Sequence, residues 1–122
     1  MNSILSIPNR NLSRSILATT PFADRFPAGR LRPPVGIIPG TIRSLPELHL
    51  LLAPDERSLP GVNPIALADW VENVVGDPDL AQALRATHNA APSYVEWCLT
   101  AFDLVGSRVA QARRILGEEA LS

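Results

Sequence analysis

Ten of the twelve prolines fall within the first 64 residues, and this asymmetry constrains the fold more than any other feature. Each proline removes a backbone donor and restricts the residue before it. Pro8, Pro21, Pro27, Pro33, Pro34 and Pro39 therefore exclude a long helix before residue 44. The chain reads as an extended Pro/Arg-rich arm over residues 1–43 followed by a helical domain over residues 44–122. The expected fold class is all-α. It is a small bundle of about four helices with one long C-terminal helix, preceded by the irregular arm.

Within the arm, Asn11 to Ala18 reads as a short helical turn with Leu12, Ile16 and Leu17 on one side. From Thr20 to Thr41 the expectation is extended or polyproline-like chain, turning at Gly29, Gly36 and Gly40. Val35-Gly36-Ile37-Ile38 has the character of a short strand, yet no second strand offers itself. Large apolar residues recur from Ile4 to Ile38, more than a disordered segment carries. Such an arm either wraps its own domain or orders on a partner.

Charge divides at the same boundary. All eleven basic residues are arginine, which with the abundant alanine and proline fits a GC-rich genome. Residues 1–43 hold six arginines against Asp24, a balance of +5. Residues 44–122 hold five arginines against eleven acids, a balance of −6. A basic arm on an acidic body lies on that body or a neighbour, or seeks an external anion. The first twenty residues are acid-free with arginine and serine, as in transit peptides, but Pro8 interrupts an amphipathic helix there. The expected compartment is the cytoplasm. No apolar run reaches the roughly 18 residues that cross a bilayer.

The body carries clear helix punctuation. Ser44-Leu45-Pro46-Glu47 is a capping box opening a short helix through Leu48, Leu51 and Leu52. Asn63-Pro64 and Asp77-Pro78 each pair a preferred N-cap with proline at the first helical position. Gly76 ends the helix that holds Trp70 and Val74, while Leu80, Ala81 and Leu84 belong to the next. The longest helix is expected from Pro92 to Leu116, with Gly117 as the stop. Its residues Val95, Cys98, Phe102, Val105, Val109, Ala112 and Leu116 alternate three and four apart, an a/d seam. Tyr94, Trp97, Ala101 and Leu104 form a second apolar line that turns polar at Arg108. Helices of about ten residues span only ~15 Å, so the far half of the seam is expected to meet another chain.

The run from Leu48-His49 through Asn63-Pro64-Ile65-Ala66-Leu67-Ala68-Asp69-Trp70-Val71 to Gly76-Asp77-Pro78-Asp79-Leu80-Ala81 resembles a small bacterial helical domain family of uncharacterised function. The resemblance covers residues 44–110 at most and leaves the arm outside. It implies the helical body and supplies no activity.

Chemistry-bearing residues are few. His49, His88 and Cys98 show no metal-ligand spacing, and Cys98 lies on the seam as a small apolar filler. Asp77 and Asp79 read as capping residues, whereas Asp55, Glu56, Asp69 and Glu72 read as a solvated face. The stretch Arg30 to Gly40 lacks the lysine and Ser/Thr of a phosphate loop. No catalytic, cofactor or metal site is expected. The function expected is a non-catalytic accessory or adaptor subunit binding a larger protein, such as an enzyme or assembly, or itself. Its contacts would be Phe22, Phe26, Ile37 and Ile38 as anchors, Arg30 and Arg32 at the rim, and the surface of Val105, Val109, Ala112 and Leu116. Two other classes stay open. The arm's arginines could meet nucleic-acid phosphates, although they are scattered over more than thirty residues. The chain could also be a small enzyme or a regulatory subunit of an enzyme complex.

Overall fold

The computed structural model describes residues 5–55 and 58–121, the last four of these by backbone alone. Ile4 and Glu56, noted above for their apolar and acidic character, lie outside the described residues. The elements run α1 (Arg10–Leu17), a helical turn at Phe22–Asp24, β1 (Phe26–Pro27), β2 (Gly29–Arg32), β3 (Gly36–Ile38) and β4 (Thr41–Ile42). Then follow α2 (Leu45–Leu52), β5 (Leu59–Gly61), α3 (Pro64–Trp70), α4 (Pro78–Ala90) and α5 (Tyr94–Leu121). Short antiparallel strands stand beside the helices, so the fold is mixed α/β, which corrects the all-α expectation.

The strands escape a helix-oriented reading because prolines interrupt them. Pro27, Pro39 and Pro60 stand where a missing donor is tolerated, at strand ends and sheet edges. Of the stretch Val35 to Ile38, for which the sequence offers no second strand, Gly36–Ile38 pairs with β2 and Val35 belongs to the turn. Gly29, expected to turn the chain, lies inside β2. A Cβ on Gly29 would stand 2.3 Å from the carbonyl oxygen of Ile38, so the crossing strands leave no room for a side chain.

The helices begin where their caps place them. Asn9 accepts a hydrogen bond from the Leu12 N–H at 2.8 Å, and Ser44 accepts one from Glu47 at 3.3 Å. Asn63 accepts from Ile65 and Ala66 at 3.0 and 3.1 Å, and Asp77 from Leu80 at 3.2 Å. After Trp70 the helix widens over Val71–Val75, and the Gly76 N–H closes that turn on the Val71 carbonyl at 3.0 Å. The longest helix does not stop at Gly117 but continues to Leu121. Glu, Ala and Leu beyond that glycine are good helix formers.

Helix α5 is the axis of the core, and α1, α2 and α4 all pack on it. It buries Trp97, Cys98, Ala101, Val105, Arg108, Val109 and Ala112. The a/d seam is therefore only one border of a broader buried face, since Val95 is exposed and Phe102 half-buried. The far half of α5 is covered from within, with α1 of the arm lying along the helix. Ile16, Phe26, Ala28 and Ile42 of residues 1–43 share one buried cluster with the body. Gly106 brings α2 close, for a Cβ there would lie 2.6 Å from Nε2 of His49. The imidazole instead stacks on Phe102, ring centroids 4.5 Å apart.

The second apolar line of α5 turns polar at Arg108, yet this residue and Asp77 are fully buried. The guanidinium donates to both carboxylate oxygens, from Nε to Oδ2 at 2.6 Å and from Nη2 to Oδ1 at 2.9 Å. Its Nη1 donates to Oε1 of Gln111 at 2.9 Å and to the Ser6 carbonyl. Removing one member of such a pair strands a buried charge and typically costs about 3–5 kcal/mol. Arg108→Met should lower the unfolding free energy by about that amount in urea titrations followed by tryptophan fluorescence. The double variant Asp77→Asn/Arg108→Met should recover part of the loss, because no lone charge remains. A single-variant loss under about 0.5 kcal/mol, as at an ordinary surface site, would contradict a dry pair.

Candidate functional site

Residues 26–42 form one antiparallel hairpin. Phe26 faces Ile42, Pro27 faces Thr41, Arg30 faces Ile38, Leu31 faces Ile37 and Arg32 faces Gly36, all in a single register. The ladder opens only around Pro39 and Gly40, where the Ala28 N–H still donates to the Gly40 carbonyl at 2.9 Å. Pro33, Pro34 and Val35 make the tip, the Pro33–Pro34 peptide being cis.

The base of this hairpin is built into the core. Phe26 and Ile42 are buried, and the Phe26 ring lies 5.7 Å from that of Trp70. The Trp70 indole donates to the Asp24 carbonyl at 2.7 Å. Arg30 is spent internally, donating to the Leu51 carbonyl and to Oγ of Ser58, each at 3.1 Å. Arg43 pairs with Glu47 at 2.6 Å at the start of α2. This contact raises the Arg43 pKa, chiefly by hydrogen bonding, and lowers that of Glu47.

The tip is different. Val35 is 71% exposed, Ile37 66% and Ile38 42%. Residues directly opposite each other share a face of the sheet, so Ile37, Leu31 and Leu59 form an apolar row across β3, β2 and β5. An open cleft of about 1110 Å³ adjoins it, lined among others by Leu31, Arg32, Pro33, Gly36, Asp55 and Leu59. Arg32 is exposed, and its side chain makes no hydrogen bond or ion pair among the described residues.

The two edges of the sheet β3–β2–β5 are treated unequally. Beyond β5 stands Tyr94 of α5, whose hydroxyl donates to the Pro60 carbonyl and accepts from the Val62 N–H at 3.0 Å. Burial pushes the Tyr94 pKa up from 10.0 to about 12. Beyond β3 no strand pairs among the described residues.

The expected contact residues thus separate into two groups. Ile37, Ile38 and Arg32 come together on the hairpin, and Phe22 is 82% exposed elsewhere, with the Arg25 guanidinium 5.0 Å over its ring. Phe26, Val105, Val109 and Ala112 are buried inside this chain, Leu116 is half-buried, and Arg30 is occupied internally. Neither the Tyr94 seal nor the Arg108–Asp77 pair was among the expected features. The strand signal in the sequence is the alternation of Arg and Leu in Arg30-Leu31-Arg32. Cys98 is buried beside Tyr94, and desolvation raises its pKa, so the thiol stays protonated. His88 is exposed at the end of α4. Among the described residues no group of three or more His, Cys, Asp or Glu stands together as metal ligands would.

Comparison with protein-family models, with curated proteins and with solved structures gives no match.

The chain has one tyrosine, so tyrosinate absorbance reports Tyr94 alone. A pH titration should find its midpoint near 12 instead of the ordinary 10. Because the folded state holds this proton more tightly, Tyr94 contributes stability that is complete below pH 10 and declines as pH rises towards 12. Tyr94→Phe should remove that alkaline loss, and a wild-type midpoint at 10 would show the hydroxyl to be open to water.

Proposed function

We propose that this chain is a non-catalytic protein-binding subunit that offers hairpin β2–β3 to its partner. The observation that carries the reading is a hairpin rooted in the buried core whose tip is apolar and unburied. An ordered apolar protrusion presents anchor side chains at little conformational cost, which favours docking. The far half of α5 does not belong to this surface, because its apolar face is covered by the chain's own elements.

The alternatives draw less support. Nucleic-acid binding needs several free cations in a row, but Arg43 is paired with Glu47 and Arg30 is turned inward. Enzymatic chemistry would need polar groups converging in a cleft, and the hairpin cleft holds mainly aliphatic side chains with Arg32, Asp55 and Ser58. No helix among the described residues is long and apolar enough to cross a membrane. The setting in which we place the protein is the cytoplasm, as an accessory part of a larger enzyme or assembly.

Ile37→Asp tests this directly. The side chain is exposed, so stability should change by no more than about 0.5 kcal/mol. Affinity purification from the native host should lose the proteins that the wild-type chain retains. Val109→Asp, by contrast, should unfold the chain, since that residue is buried. Retention of the same proteins by the folded Ile37→Asp variant would remove the hairpin from the interface.

A further inference from the structure

We infer that the partner adds an extended, acidic strand to the free edge of β3, its apolar side chains continuing the Leu59–Leu31–Ile37 row. The inference rests on the docking reading above and names the kind of segment that docks.

The edge supplies the first argument. Hydrogen-bonded pairs alternate along an antiparallel ladder, so the Ala28–Gly40 bond marks Arg30–Ile38 and Arg32–Gly36 as bonded pairs. Ile37, lying between them, turns its N–H and C=O away from β2. Pro39 faces the same way and offers only a carbonyl. The opposite edge of the sheet is filled by Tyr94, which leaves β3 as the side where a strand can join.

Charge supplies the second. Residues 25–43 contain Arg25, Arg30, Arg32 and Arg43 and no acid. Arg32 is the one of these on β2 without a partner among the described residues, and its cross-strand neighbour is Gly36. A Cβ built on Gly36 would meet nothing within 4 Å, so open space lies between Arg32 and the edge. A strand beside β3 would place its residue opposite Gly36 roughly 9–10 Å from Arg32. An arginine and a glutamate bridge that distance together. The neighbouring residue of the incoming strand, opposite Ile37, falls on the apolar face. The favoured segment therefore alternates apolar and acidic residues. Asp55 also lines the cleft, where its carboxylate accepts a hydrogen bond from the Ser58 hydroxyl at 3.3 Å.

A second copy of the chain fits this edge poorly. Antiparallel self-pairing centred on Ile37 sets Pro39 of each copy against Val35 of the other, losing a donor twice. The uncharged residues of β3 also leave Arg32 without an anion.

The test uses the isotope-labelled full chain titrated with a short, end-blocked peptide of alternating valine and glutamate, followed by amide NMR. Shifts and slowed exchange are expected at the Ile37 amide. The peptide in which lysine replaces glutamate should bind about tenfold more weakly or worse. Arg32→Ala should erase that preference while leaving the fold unchanged. Equal binding of both peptides, no change at Ile37, or a preference for single-stranded oligonucleotide at Arg32 would each overturn the inference. So would a dimer, seen by sedimentation, that Ile37→Asp dissolves. Should the glutamate peptide fail while Ile37→Asp still abolishes capture of the native partner, strand addition falls and the docking reading stands.

Discussion

The structure turns on one buried ion pair. Arg108 comes from the middle of α5 and Asp77 from the step into α4, and both are removed from water. The same carboxylate caps α4 through the Leu80 N–H, while the same guanidinium holds the Ser6 carbonyl. Three segments remote in sequence therefore meet at two side chains. Burying two charges is expensive unless their remaining lone pairs and protons are satisfied. Here Leu80, Gln111 and Ser6 supply those contacts. The pair fixes how α4 lies against α5, and the N-terminal segment closes over it.

Around that point the chain is organised by what each proline permits. In the helices Pro46, Pro64 and Pro78 occupy the first turn, where no donor is lost. In the sheet Pro39 and Pro60 face away from the central strand, and Pro33 and Pro34 make the bend. Composition that argued against regular structure in residues 1–43 thus accommodates a hairpin. Its base is sealed by Phe26, Ile42 and Trp70, and its outer part is left bare.

The helical starts were legible in the sequence, because Ser44, Asn63 and Asp77 act through contacts three residues long. The strands were not. Arg-Leu-Arg offers one apolar residue in β2, and Leu-Pro-Gly in β5 reads as a turn. Pairing between β2 and β5 depends on residues some thirty positions apart, which local patterns do not encode. The buried face of α5 was half legible. Cys98, Val105, Val109 and Ala112 obeyed the seam, but which polymer covers them is a tertiary fact, and α1 supplies part of the answer. Arg108 shows the same limit, since a charged residue on a helix reads as solvated unless its partner is known. Of the proposed contact surface, Ile37, Ile38 and Arg32 were visible as apolar or charged residues in an arm, without the strand that aligns them.

The packing of α1 against α5 has a consequence for synthesis. These elements begin at Arg10 and Tyr94, so most of the chain must leave the ribosome before either can bury its apolar side. Contacts of such long sequence separation form late, after the entropy of closing a large loop has been overcome. Until α5 emerges, Ile16 and Leu12 have no cover from it. Full burial of α1 therefore waits on the helix farthest from it in the chain.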